Sequence, residues 1–95
     1  MKTPKAEPTA DLHAVLLQNL GLAIAEGTLA PHSILRLDEI EAQHNVSRSV
    51  VREATRVLSS KGMLESRRRL GTVVQPEESW NAYDPQVIRW RLASS

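Results

Sequence analysis

Val46-Ser47-Arg48-Ser49-Val50-Val51-Arg52-Glu53-Ala54 is the stretch that decides the fold. Ser47 is a helix cap by type: its hydroxyl can accept from a backbone N–H two or three residues ahead, a donor the first turn leaves unpaired. At about 100° per residue, Val50, Val51, Ala54, Val57 and Leu58 then fall in one sector roughly 120° wide. Arg48, Ser49, Arg52 and Arg56 fall on the opposite side, and the acid close to them, Glu53, sits at the edge. One face suits a core, and the other gathers positive charge near the helix start. A helix divided in this way can enter a DNA major groove N-terminus first, with arginine forks aimed at base edges.

The neighbouring residues fit that reading. Asp38-Glu39-Ile40-Glu41 reads as a capping box, with Asp38 as cap and Glu41 reaching back. It opens a short helix that ends near His44-Asn45. Asn45 tolerates the left-handed conformation and so suits a tight turn, while Val46 plugs the angle between two helices. A short helix, a turn and a longer basic helix make a helix-turn-helix. The second helix ends at Lys61-Gly62. Met63-Leu64-Glu65-Ser66 and Thr72-Val73-Val74-Gln75 read as strands, joined through 67–71 and ended by Pro76. That is a β-hairpin with Arg67, Arg68 and Arg69 at its tip.

Upstream, Thr9 or Asp11 caps a helix that runs to about Glu26, with Leu12, Leu16, Leu17, Leu20, Ala23 and Ile24 as its apolar stripe. Gly27 stops it, and Pro31 prevents its continuation. Gly21, inside the helix, marks a close helix approach. Residues 28–36 form a connector with Ile34 and Leu35 tucked inward. The expected fold is mostly α with a small β-hairpin: a winged helix-turn-helix of three helices and a two-stranded wing.

This organisation predicts a flexible arm over 1–8, a winged-helix domain over 9–76, and a linker with the start of a helix over 77–95. Asp84 as cap and Pro85 at the first helical position begin that last helix. Val87, Ile88 and Trp90 cannot all bury against a domain already closed by its hairpin. The tail is therefore expected to be poorly ordered or only loosely docked, and Trp80, Tyr83 and Trp90 to mark a junction to a further part.

Composition narrows the function. The 95 residues hold no cysteine, so neither a disulfide framework nor a thiolate metal site is available. No apolar run approaches the ~18 residues of a membrane span, and a cytoplasmic location is expected. The net charge of +1 hides an asymmetry. Residues 47–71 carry seven basic side chains against Glu53 and Glu65, a net +5, while the rest carry five basic and nine acidic residues, a net −4. A local positive field on a near-neutral chain points to a polyanion.

Arg48 and Arg52 are the base-reading candidates. Ser47 and Ser49 suit phosphate oxygens at the helix start, and Arg67, Arg68 and Arg69 suit the DNA backbone or the adjacent minor groove. A solvated basic helix with local ion pairs, such as Glu53 with Arg52 or Arg56, is the plain alternative for the helix taken alone. Three consecutive arginines about 15 residues further on favour the polyanion. His13, His32 and His44 have no metal-ligand spacing. Ser47 and Ser49 have no adjacent base, and the glycines form no phosphate-binding loop. No enzyme, metal or cofactor is expected.

Asn45-Val46-Ser47-Arg48-Ser49-Val50-Val51-Arg52-Glu53-Ala54, then Arg56-Val57-Leu58 and Lys61-Gly62-Met63-Leu64-Glu65, resembles the N-terminal winged-helix domain of GntR-family bacterial repressors. Ser66-Arg67-Arg68-Arg69-Leu70-Gly71-Thr72-Val73-Val74 continues the likeness, which covers residues 10–76. The tail Trp80-Asn81, Asp84-Pro85, Val87-Ile88 and Trp90 is similar to the linker of the FadR subgroup, especially members that answer to sugar acids. The resemblance implies DNA-contacting positions at Ser47, Arg48, Ser49 and Arg52 and in the wing around Arg68 and Gly71. It also implies a double-stranded DNA operator as partner, and a longer, homodimeric protein whose missing domain binds an effector, the present chain alone being monomeric. One departure stands out. The family often carries a DNA-touching arginine at the start of helix two; here that position is Asp38, and Arg36 lies just before it as the candidate substitute. The competing function is a winged helix used as a protein-interaction module through Trp80, Tyr83 and Trp90.

Overall fold

Leucines at helical spacing form the first element, α1 (Thr9–Glu26). The computed structural model describes the backbone of residues 9–95 and the side chains of 12–95, so the arm expected at 1–8 and the cap expected at Thr9 or Asp11 lie outside what it describes. Leu16, Leu17, Leu20 and Ile24 are buried. Leu12 remains 42% exposed, so the apolar stripe begins one turn later than its spacing predicts. Gly27 takes φ 90° and ends the helix.

The connector after α1 contains a strand that the sequence did not reveal, β1 (Ile34–Leu35). It is followed by α2 (Leu37–His44), α3 (Arg48–Ser60), β2 (Leu64–Arg67) and β3 (Gly71–Val74). The sheet is antiparallel in the order β1-β3-β2, with Ile34 opposite Val73 and Leu64 opposite Val74. A two-stranded wing would leave one edge of β3 without hydrogen-bond partners. The connector supplies them: His32 N–H donates to Val74 O at 2.7 Å, and Val74 N–H to Ser33 O at 2.9 Å. The wing is thereby tied to the start of α2.

The capping box is not formed. α2 begins at Leu37, so Asp38 falls inside the first turn, where its Oδ1 accepts from Glu39 N–H at 3.0 Å. The N-cap is Arg36, which gives no side-chain capping bond. Glu41 accepts from Arg48 rather than reaching back. The turn itself is as expected: Asn45 adopts φ 53°, and Val46 N–H closes on Glu41 O at 3.2 Å.

The tail requires the main correction. Residues 77–95 are neither loose nor separate. After a 3-10 turn at Glu77–Ser79, α4 (Pro85–Ser94) packs on α1 and joins the same core, with Val87 fully buried and Trp90 2% exposed. Gly21 makes this possible. A Cβ on Gly21 would lie 2.6 Å from the Trp90 ring, so the missing side chain is the space the indole occupies. Trp90 Nε1–H donates to Gln18 Oε1 at 2.8 Å, which satisfies the ring's polar edge. The expected limit holds only for Ile88, which stays 42% exposed.

The segment before α4 clasps the end of α3. Gly62 has φ 80° and approaches Ser79 so closely that a Cβ would lie 2.2 Å from the Ser79 carbonyl oxygen. Asn81 N–H donates to Lys61 O at 2.8 Å. Lys61 Nζ donates to Asp84 Oδ2 at 2.8 Å, with 11% and 17% of the two side chains exposed. Asp84 also caps α4, accepting from Gln86 N–H at 2.8 Å and Val87 N–H at 3.3 Å. Trp80 is half-buried, its Nε1–H donating to Gln75 O at 2.9 Å, whereas Tyr83 is 91% exposed. The three aromatic residues therefore form no common surface patch.

Two predictions concern this packing. Trp90→Ala should destabilise the chain by about 3–5 kcal/mol in urea unfolding, whereas Ile88→Ala should cost far less. Equal effects would place α4 outside the core. The second concerns pH. Burial pushes the Asp84 carboxyl up, but Lys61 and the two backbone N–H donors outweigh it and hold the group below the usual carboxylate range. A depressed folded-state pKa contributes stability that is present above the unfolded value of about 3.9 and is lost as pH falls through the folded value. Asp84→Asn keeps a capping oxygen but not the charge. It should cost about 1.5–3 kcal/mol at pH 7, a difference that shrinks below about pH 4. A gap that persists unchanged into acid would mean the charge is not what stabilises this corner.

Candidate nucleic-acid interface

The basic surface is built on α3. Ser47 caps it, its Oγ accepting from Val50 N–H at 3.3 Å and lying 3.2 Å from Ser49 Oγ. Val50, Val51, Ala54, Thr55 and Leu58 are buried along one side. Thr55 satisfies its hydroxyl by donating to Arg52 O at 3.0 Å. With that side in the core, Arg48, Ser49, Arg52 and Arg56 are all exposed. The expected division of the helix is therefore realised, and two positively charged side chains, at positions 48 and 52, lie in its first two turns.

The wing lies beside this surface. Arg67 pairs with Gly71 across the hairpin, which leaves residues 68–70 as its tip. Arg69 turns the chain with φ 73°, and Gly71 adopts φ 107°, a conformation that side chains disfavour. Arg68 and Arg69 are exposed. An open cleft of about 280 Å³ brings Arg36 and Arg48 together with Leu70 and Gly71, and also with Asp38. Arg36 thus shares a cleft with the start of the basic helix and the wing, as a substitute for a basic residue at position 38 would require.

Three carboxylates sort the arginines of this surface. Arg48 is held by Glu41 of α2, Arg56 by Glu53 on the same helix, and Arg67 by Glu65 on the same strand at 3.0 Å. Among the described residues, Arg36, Arg52, Arg68 and Arg69 form no ion pair. The hydrogen bond from Arg56 holds the Glu53 carboxyl below the usual carboxylate range, and Glu53 in turn raises the Arg56 guanidinium. Arg56 is therefore the one predicted helix arginine whose fork is already occupied by its own helix. The pairing of Arg48 across the turn joins residues seven apart on two helices, and no local spacing rule could have found it.

Among the described residues, no group of three or more His, Cys, Asp or Glu side chains could hold a metal ion. No described helix is long and apolar enough to cross a membrane.

Comparison with known proteins agrees with this geometry. Residues 14–74, from α1 to the end of β3, match the family model described as bacterial regulatory proteins, gntR family. An uncharacterized HTH-type transcriptional regulator, YieP of Escherichia coli strain K12, is 40% identical over 81 residues, covering 84% of this chain and 35% of that protein. The galactonate operon transcriptional repressor of the same organism is 35% identical over 74 residues, covering 77% of this chain and 32% of the repressor. The chain thus spans about a third of the length of these curated relatives. A crystal structure of a protein assigned to the GntR family of transcriptional regulators superimposes with a TM-score of 0.62 at 32% identity, covering 68% of this chain and 26% of the other. The fold, with its capped basic helix and its wing, and the family match over the same residues lead to one conclusion: this chain belongs to the GntR family of bacterial regulatory proteins.

Proposed function

We propose that this chain is the sequence-specific, double-stranded DNA-reading head of a bacterial transcription regulator. The observation that carries the proposal is the serine-capped start of α3, which exposes Arg48, Ser49 and Arg52 opposite a buried apolar side and next to the wing. Arg48 and Arg52 read base edges in the major groove. Ser47 and Ser49 bind phosphate oxygens at the helix start, where the helix dipole favours anions. Arg68 and Arg69, with Gly71 allowing a close backbone approach, bind the DNA backbone or minor groove beside the main site. Arg36 contributes from the edge of the cleft. Arg56 and Arg67, each held by a neighbouring carboxylate, contribute mainly charge.

Binding to an operator, with no catalytic step, is the activity this surface supports, and a cytoplasmic location follows from it. The likeness to the galactonate operon repressor supports placing the full-length protein in the FadR subgroup, as a ligand-responsive repressor of sugar-acid genes. The relatives' greater length supports a further, effector-binding and dimerising part in the whole protein. Two heads held by such a part would bind an operator more tightly than one head alone, because the second binding event becomes intramolecular.

Arg52→Ala tests the reading. It should cost about 1–3 kcal/mol on a DNA site selected from random sequence and relax preference at one base pair. Fluorescence anisotropy on matched and scrambled duplexes measures both; an unchanged ratio would make Arg52 a phosphate ligand only. Replacing Arg67, Arg68 and Arg69 together by alanine should instead weaken binding to every duplex. It should also flatten the dependence of log K on log salt by roughly 0.9 for each phosphate that is no longer neutralised. An unaltered slope would show that the wing does not touch DNA.

A further inference from the structure

Glu41 stands where a carboxylate is unfavourable for a protein that binds DNA. It lies on α2, and its Oε2 accepts from Nε of Arg48 across the turn that separates the two helices. The pair is partly in solvent, with 48% of the Arg48 side chain and 28% of the Glu41 side chain exposed. An ion pair of that exposure adds little to stability. A negative charge at the base of the basic surface also weakens attraction to phosphate. Neither stability nor general affinity for DNA accounts for the pairing.

Its geometry does. A guanidinium has five N–H donors in one plane: one on Nε and two on each Nη. Arg56 gives both Nε and Nη2 to Glu53, and Arg67 gives both Nε and Nη2 to Glu65, so each of those forks is engaged along a whole edge. Arg48 gives Glu41 only Nε. Among the described residues neither of its Nη groups makes a hydrogen bond, and the guanidinium is restrained from behind at Nε. Arg48 is also the first residue of α3 and lines the cleft shared with Arg36 and Gly71. Two parallel donors at the end of a restrained fork match the O6 and N7 acceptors of guanine. A phosphate needs no such restraint, since it can accept from many directions.

We propose that Glu41 is a positioning residue that holds Arg48 for end-on recognition of one guanine, and thereby sets base preference at that position. The inference rests on the DNA-reading function proposed above. Without Glu41 the arginine keeps its charge but must be ordered anew at each binding event, a cost that corresponds to roughly 2- to 10-fold in affinity for one long side chain.

The test uses the 95-residue chain, a duplex it selects from random DNA and a scrambled duplex, with Glu41→Ala, Glu41→Gln, Arg48→Ala and the Glu41→Ala/Arg48→Ala double variant. Thermal melting checks that each variant is folded. Glu41→Ala should lower the matched-to-scrambled affinity ratio roughly 2- to 10-fold and relax preference at a single guanine. Binding to scrambled DNA should be unchanged or tighter, since a negative charge has gone. Glu41→Gln should retain more of the ratio, because its carbonyl can still accept from Nε. In the Arg48→Ala background, Glu41→Ala should have no further effect on the ratio. An undiminished ratio in Glu41→Ala, or an equal loss with and without Arg48, would overturn the positioning role and leave the DNA-reading function standing. A wild-type chain with no sequence preference would overturn both.

Discussion

Val50, Val51, Ala54 and Leu58 bury along one side of α3, in a shared core with Leu16, Leu17, Leu20 and Ile24 of α1. Each large aliphatic side chain removed from water contributes about 1.5–3 kcal/mol before conformational entropy is set against it. This packing fixes the rotation of α3 about its own axis, and everything on the opposite side follows from that rotation. A turn of about 100° would bring the core-facing valines to the surface and carry Arg48 or Arg52 toward apolar surroundings, where an unpaired charge is strongly disfavoured. The basic face is thus held outward by the core on its other side.

The same core holds the helix in place along its length. At its start, Ser47 caps α3, and the αL turn at Asn45 sets the direction from α2. At its end, Ser79, Asn81 and Asp84 close around Gly62 and Lys61, and Trp90 presses into the space left by Gly21. α4 is therefore a brace for α1 and for the far end of α3. α4 is thus joined to α1 by packed side chains and to the far end of α3 by one mostly buried ion pair.

Charge is distributed on this frame with some selectivity. On the basic surface of α3 and the wing, three carboxylates each engage one arginine, while Arg36, Arg52, Arg68 and Arg69 form no ion pair among the described residues. Exposed pairs of this type contribute little to folding, so their effect is on which forks remain open and in which direction. Along α3 the paired Arg48 and Arg56 flank Arg52, which forms no ion pair among the described residues.

Elements that obey local rules were legible in the chain before it folded. Apolar spacing marked α1 and α3 and the face each buries, Ser47 and Asp84 marked two caps, Asn45 and the terminal glycines marked the turns, and the arginine run marked a hairpin tip, although Arg67 belongs to β2 and only Arg68 and Arg69 lie in the tip. The winged helix-turn-helix and its basic face could be read for that reason. The remaining features came only with packing, because each joins residues far apart in the chain. β1 becomes a strand only because β3 offers an open edge. Asp38 loses the cap because α2 starts at Leu37, and Glu41 is then held by a partner on α3. The tail folds back because Gly21, more than 60 positions before Trp90, leaves room for an indole. Gly21 could be read as a close approach, but no periodicity names the residue that approaches it: a cavity has no local signature until the chain that fills it has folded.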